Sequence, residues 1–180
     1  MGIAALLAAC APVLSREVMR DGSRDAQLNQ LRETPDAFKD KLFILGGIIA
    51  NTRFTPDGSE IEALYVPVDS LGYLKEGSRI QGRFLAFYPK AFGMLDPVIY
   101  KKGREITLAG EFTGIRSGKI DEMEYAFPVF RIRQIYLWRE EPRYYYPPYY
   151  YPYPFYYPYP YGYDRWGRPY YYDPFWPGPW

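Results

Sequence analysis

The sequence predicts an all-β protein, in which a small five-stranded OB-like barrel follows a short N-terminal helix and precedes a disordered tail rich in Tyr and Pro. Three observations predict this fold. Five strand-like stretches fall within residues 38–141, glycines interrupt three of them, and residues 142–180 hold 15 of the 21 tyrosines. Strongly bent strands in so short a domain favour a closed sheet over a flat one.

Alternation of apolar and polar residues marks the strands of the predicted barrel. Apolar and polar side chains alternate along residues 105–112, and this period of two is typical of a half-buried strand. Gly46, Gly47 and Gly82 interrupt the first and third strands, where a small barrel would turn its corners. The five predicted strands are residues 42–50, 61–68, 79–87, 105–112 and 127–138.

Turn residues separate these strands. Residues 55–58, Thr-Pro-Asp-Gly, predict a hairpin loop between the first two strands, and residues 117–119, Ser-Gly-Lys, predict a turn after the fourth. Residues 88–102 form the long connection in which an OB barrel commonly carries a helix. Because Pro89 and Pro97 flank it, any helix here is limited to about two turns.

The N-terminus resembles a bacterial lipobox. A short apolar run, residues 3–9, ends in Leu7-Ala8-Ala9-Cys10. The small residue lets a peptidase close on the backbone, and the thiol of Cys10 is the nucleophile that takes up diacylglycerol. Residues 1–9 are therefore predicted to be a truncated lipoprotein signal peptide, and acyl chains on Cys10 to attach the protein to a membrane.

This signal departs from the usual pattern. No Lys or Arg precedes Arg16, and the apolar run barely reaches the minimum for a signal peptide, so we expect the true start codon to lie upstream. The alternative is a buried cysteine at the end of a small apolar helix. Ala11 stands where aspartate would favour inner-membrane retention in enteric bacteria, which predicts transfer to the outer membrane.

Residues 10–37 are predicted to be a tether with one short helix. The segment is polar with scattered apolar residues, and a helical pattern over residues 25–33 ends at Thr34-Pro35. The tether would join the lipidated cysteine to the barrel domain, residues 38–141.

Composition excludes several kinds of chemistry. The chain has no histidine and one cysteine, which removes histidine-based catalysis, imidazole metal sites and disulfides. With 22 Lys+Arg against 21 Asp+Glu, a nucleic-acid partner is not expected. We predict no catalytic residue, cofactor or metal. The alternative is an envelope enzyme that acts on glycan or peptide through paired carboxylates, either Glu60 with Glu62 or residues 121–124.

Several short passages occur in a specific order and spacing. They are residues 66–69 (Val-Pro-Val-Asp), 82–86 (Gly-Arg-Phe-Leu-Ala), 94–97 (Met-Leu-Asp-Pro), Tyr100, 106–110 (Ile-Thr-Leu-Ala-Gly) and 137–138 (Leu-Trp). Together they resemble the Slp family of outer-membrane lipoproteins, over residues 35–138 and with the lipobox in the expected place. The resemblance implies a lipid-anchored protein on the periplasmic face of the outer membrane of a Gram-negative bacterium, with members induced by starvation, and it implies no reaction.

Two aspartates in these passages have two interpretations. Asp69 and Asp96 are expected to accept backbone hydrogen bonds in tight turns. The alternative is a binding role for Arg83, Asp96 and Tyr100.

The tail, residues 142–180, is predicted to be extended and rich in polyproline II, because 11 of its residues are proline. Its many tyrosine rings could stack on sugars or on other rings. The tail is therefore either an accreted low-complexity extension or an arm that binds cell-wall glycan or an envelope protein.

Overall fold

The computed structural model describes residues 11–75 and 77–140, together with residues 162–163 and 169–170. Its centre is a closed barrel with the strand order β1-β2-β3-β5-β4. Neighbouring strands are antiparallel except β3 and β5, which are parallel. The predicted OB-like fold class is confirmed. The strands are β1 (Leu42–Thr55), β2 (Gly58–Val66), β3 (Arg83–Pro89), β4 (Glu105–Ile120) and β5 (Met123–Leu137).

Side chains of the barrel's own strands fill its interior. Phe84, Phe112 and Phe130 are completely buried, and the Phe130 ring meets the other two edge to face at centroid distances of 5.7 and 5.5 Å. Edge-to-face contacts of this kind are favourable beyond the area they bury. The interior is thus a packed core, to which Leu45, Ile61, Ile106, Leu108 and Ile132 also contribute.

The first hairpin is longer than predicted. β1 continues past residue 50 to Thr55, with a bulge between Ile49 and Asn51, and β2 begins at Gly58. Residues 56–57 form the turn, so the predicted hairpin loop is confirmed. The bulge lets the long strand bend around the barrel.

The third strand was predicted to begin at residue 79, which is wrong. It begins at Arg83, directly after Gly82, whose φ is +132°. A Cβ at Gly82 would lie 2.8 Å from the Tyr125 hydroxyl, and the backbone N–H of Arg83 donates to that same hydroxyl at 2.8 Å. Gly82 therefore ends the preceding loop instead of bending the strand.

The turn predicted at residues 117–119 is also wrong. These residues continue β4, and the chain reverses at Asp121, whose φ is +52°. A Cβ at Gly118 would lie 3.0 Å from the ring of Phe127, so the glycine makes room for a cross-strand aromatic side chain. Because residues 117–120 belong to β4, the β4–β5 hairpin is longer than predicted.

The connection from β3 to β4 carries less helix than the limit of two turns allows. It contains a single 3-10 turn, Lys90–Phe92, after which the chain caps the barrel. Leu95 enters the core, and its N–H donates to the buried hydroxyl of Ser59 at 2.9 Å.

The N-terminal segment is not a tether, and that prediction needs correction. It forms two helices, α1 (Arg16–Asp21) and α2 (Leu28–Glu33), and a 3-10 turn, Pro35–Phe38, where one helix over residues 25–33 was expected. Its apolar residues are scattered in the sequence, but in the fold they lie on the side of the segment that faces the barrel. Leu14, Met19, Ala26, Leu28 and Leu31 are all buried against the barrel.

Arg32 joins α2 to the sheet. Its guanidinium lies over the ring of Tyr125 at 4.7 Å, donates to the Tyr125 hydroxyl and donates through Nε to the carbonyl of Ala126 at 2.9 Å. One arginine therefore holds the helix against β5 through a cation–π contact and two hydrogen bonds.

In the tail, which belongs to a second compact unit, the described residues form one short antiparallel ladder. Strand β6 (Gly162–Tyr163) pairs with β7 (Pro169–Tyr170), which the sequence did not predict. The disorder predicted for the remaining tail residues lies outside the described residues, as do the signal peptide and Cys10. Among the described residues, no helix is long and apolar enough to cross a membrane.

Candidate functional site

The chain enters the described domain at one edge of the barrel, beside the loop that follows β2. The N–H of Val13 donates to the carbonyl of Leu71 at 2.9 Å. The next loop residue, Gly72, has a φ of +91°, and a Cβ there would lie 3.3 Å from Cβ of Val13. The loop and the entering chain are thus in direct contact three residues after Cys10.

Asp69 shapes this loop. Its Oδ1 accepts the backbone N–H groups of Leu71 and Tyr73 at 2.8 and 2.9 Å, and its own N–H donates to the Tyr73 carbonyl. These are the hydrogen bonds expected of an aspartate in a tight turn.

A relay of two hydrogen bonds connects the loop with the end of β5. The buried hydroxyl of Thr107 on β4 donates to the carbonyl of Gly72 at 2.9 Å. The same hydroxyl accepts the indole N–H of Trp138 at 3.1 Å. Three segments that are distant in the sequence therefore meet at Thr107.

Three aromatic rings cover this junction. The ring of Trp138 lies 5.2 Å from that of Tyr73 and 5.0 Å from that of Tyr136. Tyr73 and Tyr136 remain 44% and 39% exposed. We call Val13, Leu71, Tyr73, Tyr136 and Trp138 together the anchor edge. The sequence alone does not predict the anchor edge, because only the fold brings these residues together. Its sequence signal is Trp138, which lies in a passage that resembles the family.

Glu60 and Glu62, the first carboxylate pair considered for catalysis, are each bound by arginine. The buried Glu60 accepts from Arg53 at 2.6 Å and from Arg116 at 2.5 Å, while Glu62 pairs with Arg83 at 2.6 Å. Both glutamates point outward from β2, so they do not face each other across a cleft.

Glu111 on β4 is the centre of a second arginine cluster. Its carboxylate accepts Nε of Arg131 at 3.1 Å and Nε of Arg133 at 2.6 Å, and each arginine donates a second bond through Nη2. The bonds from Arg133, with those from Arg131, lower the pKa of Glu111, although burial opposes them. In turn the carboxylate raises the pKa of Arg133.

These ion pairs do not suit general acid–base catalysis. A general acid or base must reach a substrate, and here the oxygens of Glu60, Glu62 and Glu111 already accept hydrogen bonds from arginine. The other predicted group, residues 121–124, lies at the exposed tip of the β4–β5 hairpin. Among the described residues, no three Asp, Glu or Cys side chains lie where they could hold a metal ion.

The predicted binding residues do not all come together. Asp96 and Tyr100 share one turn, in which the Tyr100 N–H donates to the Asp96 carbonyl at 2.8 Å and Asp96 Oδ1 accepts the N–H of Val98. Arg83 lies at the other end of β3 from this turn and pairs with Glu62. Burial raises the pKa of Tyr100. The joint binding role of Arg83, Asp96 and Tyr100 stays a prediction.

A shallow groove of about 460 Å³ lies between α1 and the outer face of the sheet. The N–H of Ser15 donates across it to Oε1 of Gln134 at 3.1 Å. Its walls mix charges of both signs, and Glu111 and Arg133 on its floor are already paired with each other. The lining residues are Ser15, Glu17, Val18, Asp21, Leu42, Glu111, Arg133 and Gln134.

Comparison with known proteins matches residues 7–176 to the outer membrane lipoprotein Slp family. The chain belongs to the Slp family. The match begins before Cys10 and runs beyond the barrel through most of the tail. The protein is therefore an outer-membrane lipoprotein of the cell envelope, as the resemblance of its barrel passages implied.

One curated relative of this Slp-family chain is an uncharacterized protein of Haemophilus influenzae, 33% identical over 105 residues. The alignment covers 57% of the chain and 55% of that relative, so the chain spans about half the relative's length.

Two solved structures also show similarity to part of this chain. The mitochondrial single-stranded DNA-binding protein Rim1 of S. cerevisiae is 9% identical with a TM-score of 0.32, covering 57% of this chain and 99% of its own. Schizosaccharomyces pombe Pot1pC bound to single-stranded DNA is 10% identical with a TM-score of 0.31, covering 58% and 84%.

Proposed function

We propose that this Slp-family protein is acylated at Cys10 and serves a structural or binding role on the periplasmic face of the outer membrane, without a reaction of its own. The observation that supports this most is the packing of the N-terminal segment. From Val13 onward the chain is held on the barrel, so the domain begins only three residues after Cys10.

Because few residues separate Cys10 from the barrel, lipidation would keep the barrel close to the membrane. Three residues extend at most about 11 Å, at roughly 3.6 Å per residue. Acyl chains on Cys10 would therefore hold the barrel itself against the bilayer. Each buried methylene contributes about 0.8 kcal/mol, and stable attachment takes more than one chain, which a diacylglycerol on this cysteine would supply.

The barrel supports a non-catalytic role. Its interior is filled by phenylalanine and aliphatic side chains, and the described carboxylates best placed for chemistry, Glu60, Glu62 and Glu111, are each paired with arginine. An envelope enzyme that attacks glycan or peptide would need two free carboxylates on either side of a substrate cleft. That second candidate gains no support from this arrangement.

The proposal extends to binding by the tail and to the physiological conditions under which the protein acts. We propose that residues 142–180 bind cell-wall glycan or an envelope protein, since tyrosine rings offer flat apolar faces with a polar hydroxyl. We also propose a role under starvation or envelope stress, which rests on the family resemblance.

Lipidation is tested by Cys10→Ala, with Ala11→Ser as a control that keeps the cysteine. Both variants are expressed from the gene's own locus, so that any upstream coding sequence is retained. We expect Cys10→Ala to lose incorporation of a palmitate analogue and to leave the outer-membrane fraction, while Ala11→Ser keeps both. Unchanged labelling and unchanged outer-membrane attachment of Cys10→Ala would refute acylation at this residue.

The tail's role is tested by proximity crosslinking in intact cells with and without residues 142–180. We expect specific crosslinks to glycan or envelope protein that disappear on deletion. Identical crosslinks in both strains would assign partner binding to the barrel.

A further inference from the structure

We propose that the anchor edge rests on the phospholipid bilayer, with Tyr73, Tyr136 and Trp138 in the headgroup region. This gives the barrel one defined orientation on the membrane. The inference rests on acylation at Cys10, the function proposed above, and adds which face of the domain meets the lipid.

Only a few residues separate the proposed lipid on Cys10 from the folded domain. Val13 is hydrogen-bonded to Leu71, and the next residue, Leu14, is already buried. Because Cys10 lies within about 11 Å of Val13, at roughly 3.6 Å per residue, the bilayer surface cannot be far from the loop that holds Val13. Leu71 and Tyr73 belong to that loop, so they lie on the side of the domain nearest the lipid.

The aromatic side chains of the anchor edge have the chemistry of a membrane interface. Tyrosine and tryptophan are enriched where membrane proteins meet the headgroup layer, because an apolar ring and a polar group suit that boundary. Tyr73 and Tyr136 are partly exposed, so each presents part of an aromatic ring at the surface of the described domain. Rings of this kind suit the boundary between acyl chains and headgroups.

The loop before β4 is joined to the anchor edge. Arg104 donates to the carbonyl of Trp138 at 2.5 Å and to that of Ile99 at 3.4 Å. Val98 and Ile99 in this loop are 80% and 54% exposed, and charged side chains lie beside them, with Lys101 paired to Glu140 at 2.9 Å. Exposed apolar and charged side chains next to the rings suit the headgroup layer, where both kinds of group find partners.

The rings are held in place before any lipid is bound. Asp69 positions the loop that carries Tyr73, and Thr107 joins that loop to the indole of Trp138. A preorganised surface loses less side-chain entropy when it binds. The anchor edge is therefore already ordered before it contacts the membrane.

This orientation predicts which part of the protein lies far from the membrane. β5 has 15 residues and runs from the hairpin tip at Met123 to Leu137, next to Trp138. At roughly 3.3 Å per residue its ends lie up to about 45 Å apart. The β4–β5 hairpin tip therefore points away from the lipid surface.

Site-specific labels test the orientation. Transfer of a diacylglyceryl group to Cys10 converts its thiol to a thioether, so a cysteine introduced elsewhere can be labelled selectively. Lys75→Cys and Arg139→Cys place an environment-sensitive dye on either side of the aromatic rings, and Met123→Cys is the control at the hairpin tip. All three positions are exposed, so the folded barrel should tolerate them. The full-length acylated proteins are reconstituted in phosphatidylethanolamine/phosphatidylglycerol vesicles, with or without lipids that carry a shallow nitroxide quencher.

We expect nitroxide lipids to quench the dye at residues 75 and 139 and to leave the dye at residue 123 nearly unchanged. Acylated, vesicle-bound protein with equal quenching at all three positions, or with quenching only at residue 123, would overturn the orientation while leaving the proposed function intact. Protein that lacks acyl mass on Cys10 and stays off the vesicles would overturn the proposed function, and the orientation with it.

Discussion

The indole N–H of Trp138 donates to the hydroxyl of Thr107, and that hydroxyl donates to the carbonyl of Gly72. Thr107 is completely buried, so neither bond can be replaced by bulk water without opening the structure. Through this one side chain, the end of β5, the middle of β4 and the loop after β2 become a single unit at the point where the N-terminal segment arrives.

Thr107→Val keeps the shape of the side chain and removes both hydrogen bonds. The Gly72 carbonyl and the Trp138 indole lose their partner, so we expect a loss of about 1–3 kcal/mol in the free energy of unfolding. Thr113→Val is the matched control. The side chain of Thr113 is exposed and donates one hydrogen bond, to the Val129 carbonyl, so this substitution should cost less than about 0.5 kcal/mol. Urea unfolding measures both, and equal losses would contradict the role given to Thr107.

Leu31→Ala tests whether the N-terminal segment is part of the folded domain. Leu31 is buried against the barrel, so its truncation should cost about 2–5 kcal/mol in the free energy of unfolding. Gln30→Ala, on the exposed side of the same helix, should change stability by less than about 0.5 kcal/mol. If Leu31→Ala proved as mild as its neighbour, the segment would be a tether after all.

Glu111→Gln should weaken the arginine cluster at neutral pH. The bonds from Arg133 and Arg131 to the charged carboxylate are reduced, and we expect a loss of about 1–3 kcal/mol in the free energy of unfolding. The exposed Glu124 on β5 provides the control variant Glu124→Gln, which should leave stability nearly unchanged.

The effect of Glu111→Gln should depend on pH in one direction. Because the arginines lower the pKa of Glu111 below its ordinary value of 4.5, the unfolded chain takes up a proton there before the folded protein does. The stability that the cluster supplies is therefore complete above that value and is lost as the pH falls through the folded-state pKa. Unfolding curves of wild type and variant should converge in acid; a difference that stays constant would contradict the ion pairs.

Deletion of residues 142–180 should leave the thermal unfolding of the barrel nearly unchanged. The five strands lie within residues 42–137, and the residues of the barrel core lie between Ala26 and Ile132, so the described core contains no residue of the tail. Differential scanning calorimetry of the full chain and of the deletion measures this. A large drop in melting temperature would mean that the tail stabilises the domain.

The barrel could be predicted from sequence because its strands carry local signals. Alternation along residues 105–112 and the Thr-Pro-Asp-Gly turn depend only on neighbouring residues, and both were correct. Gly82 and Gly118 were misplaced because each glycine makes room for an aromatic side chain from another strand, and that partner is set by the fold.

The candidate site was less accessible to sequence reasoning. The turn contacts of Asp69 and Asp96 follow from nearby residues and could be anticipated. The anchor edge joins positions near residues 13, 72 and 138, whose proximity comes from barrel closure. The apolar residues of the N-terminal segment follow no single period, so the sequence predicts a tether. In the fold, two short helices and a turn place these residues on one side.

Lipidation of Cys10, which we propose holds this domain at the outer membrane, is tested most directly by mass spectrometry of the N-terminal peptide. The peptide is prepared from protein extracted from outer membranes. We predict a mature chain that starts at Cys10 and carries the added mass of a diacylglyceryl group. A peptide in which Cys10 has a free thiol and is still preceded by residues 1–9 would contradict lipidation at this residue.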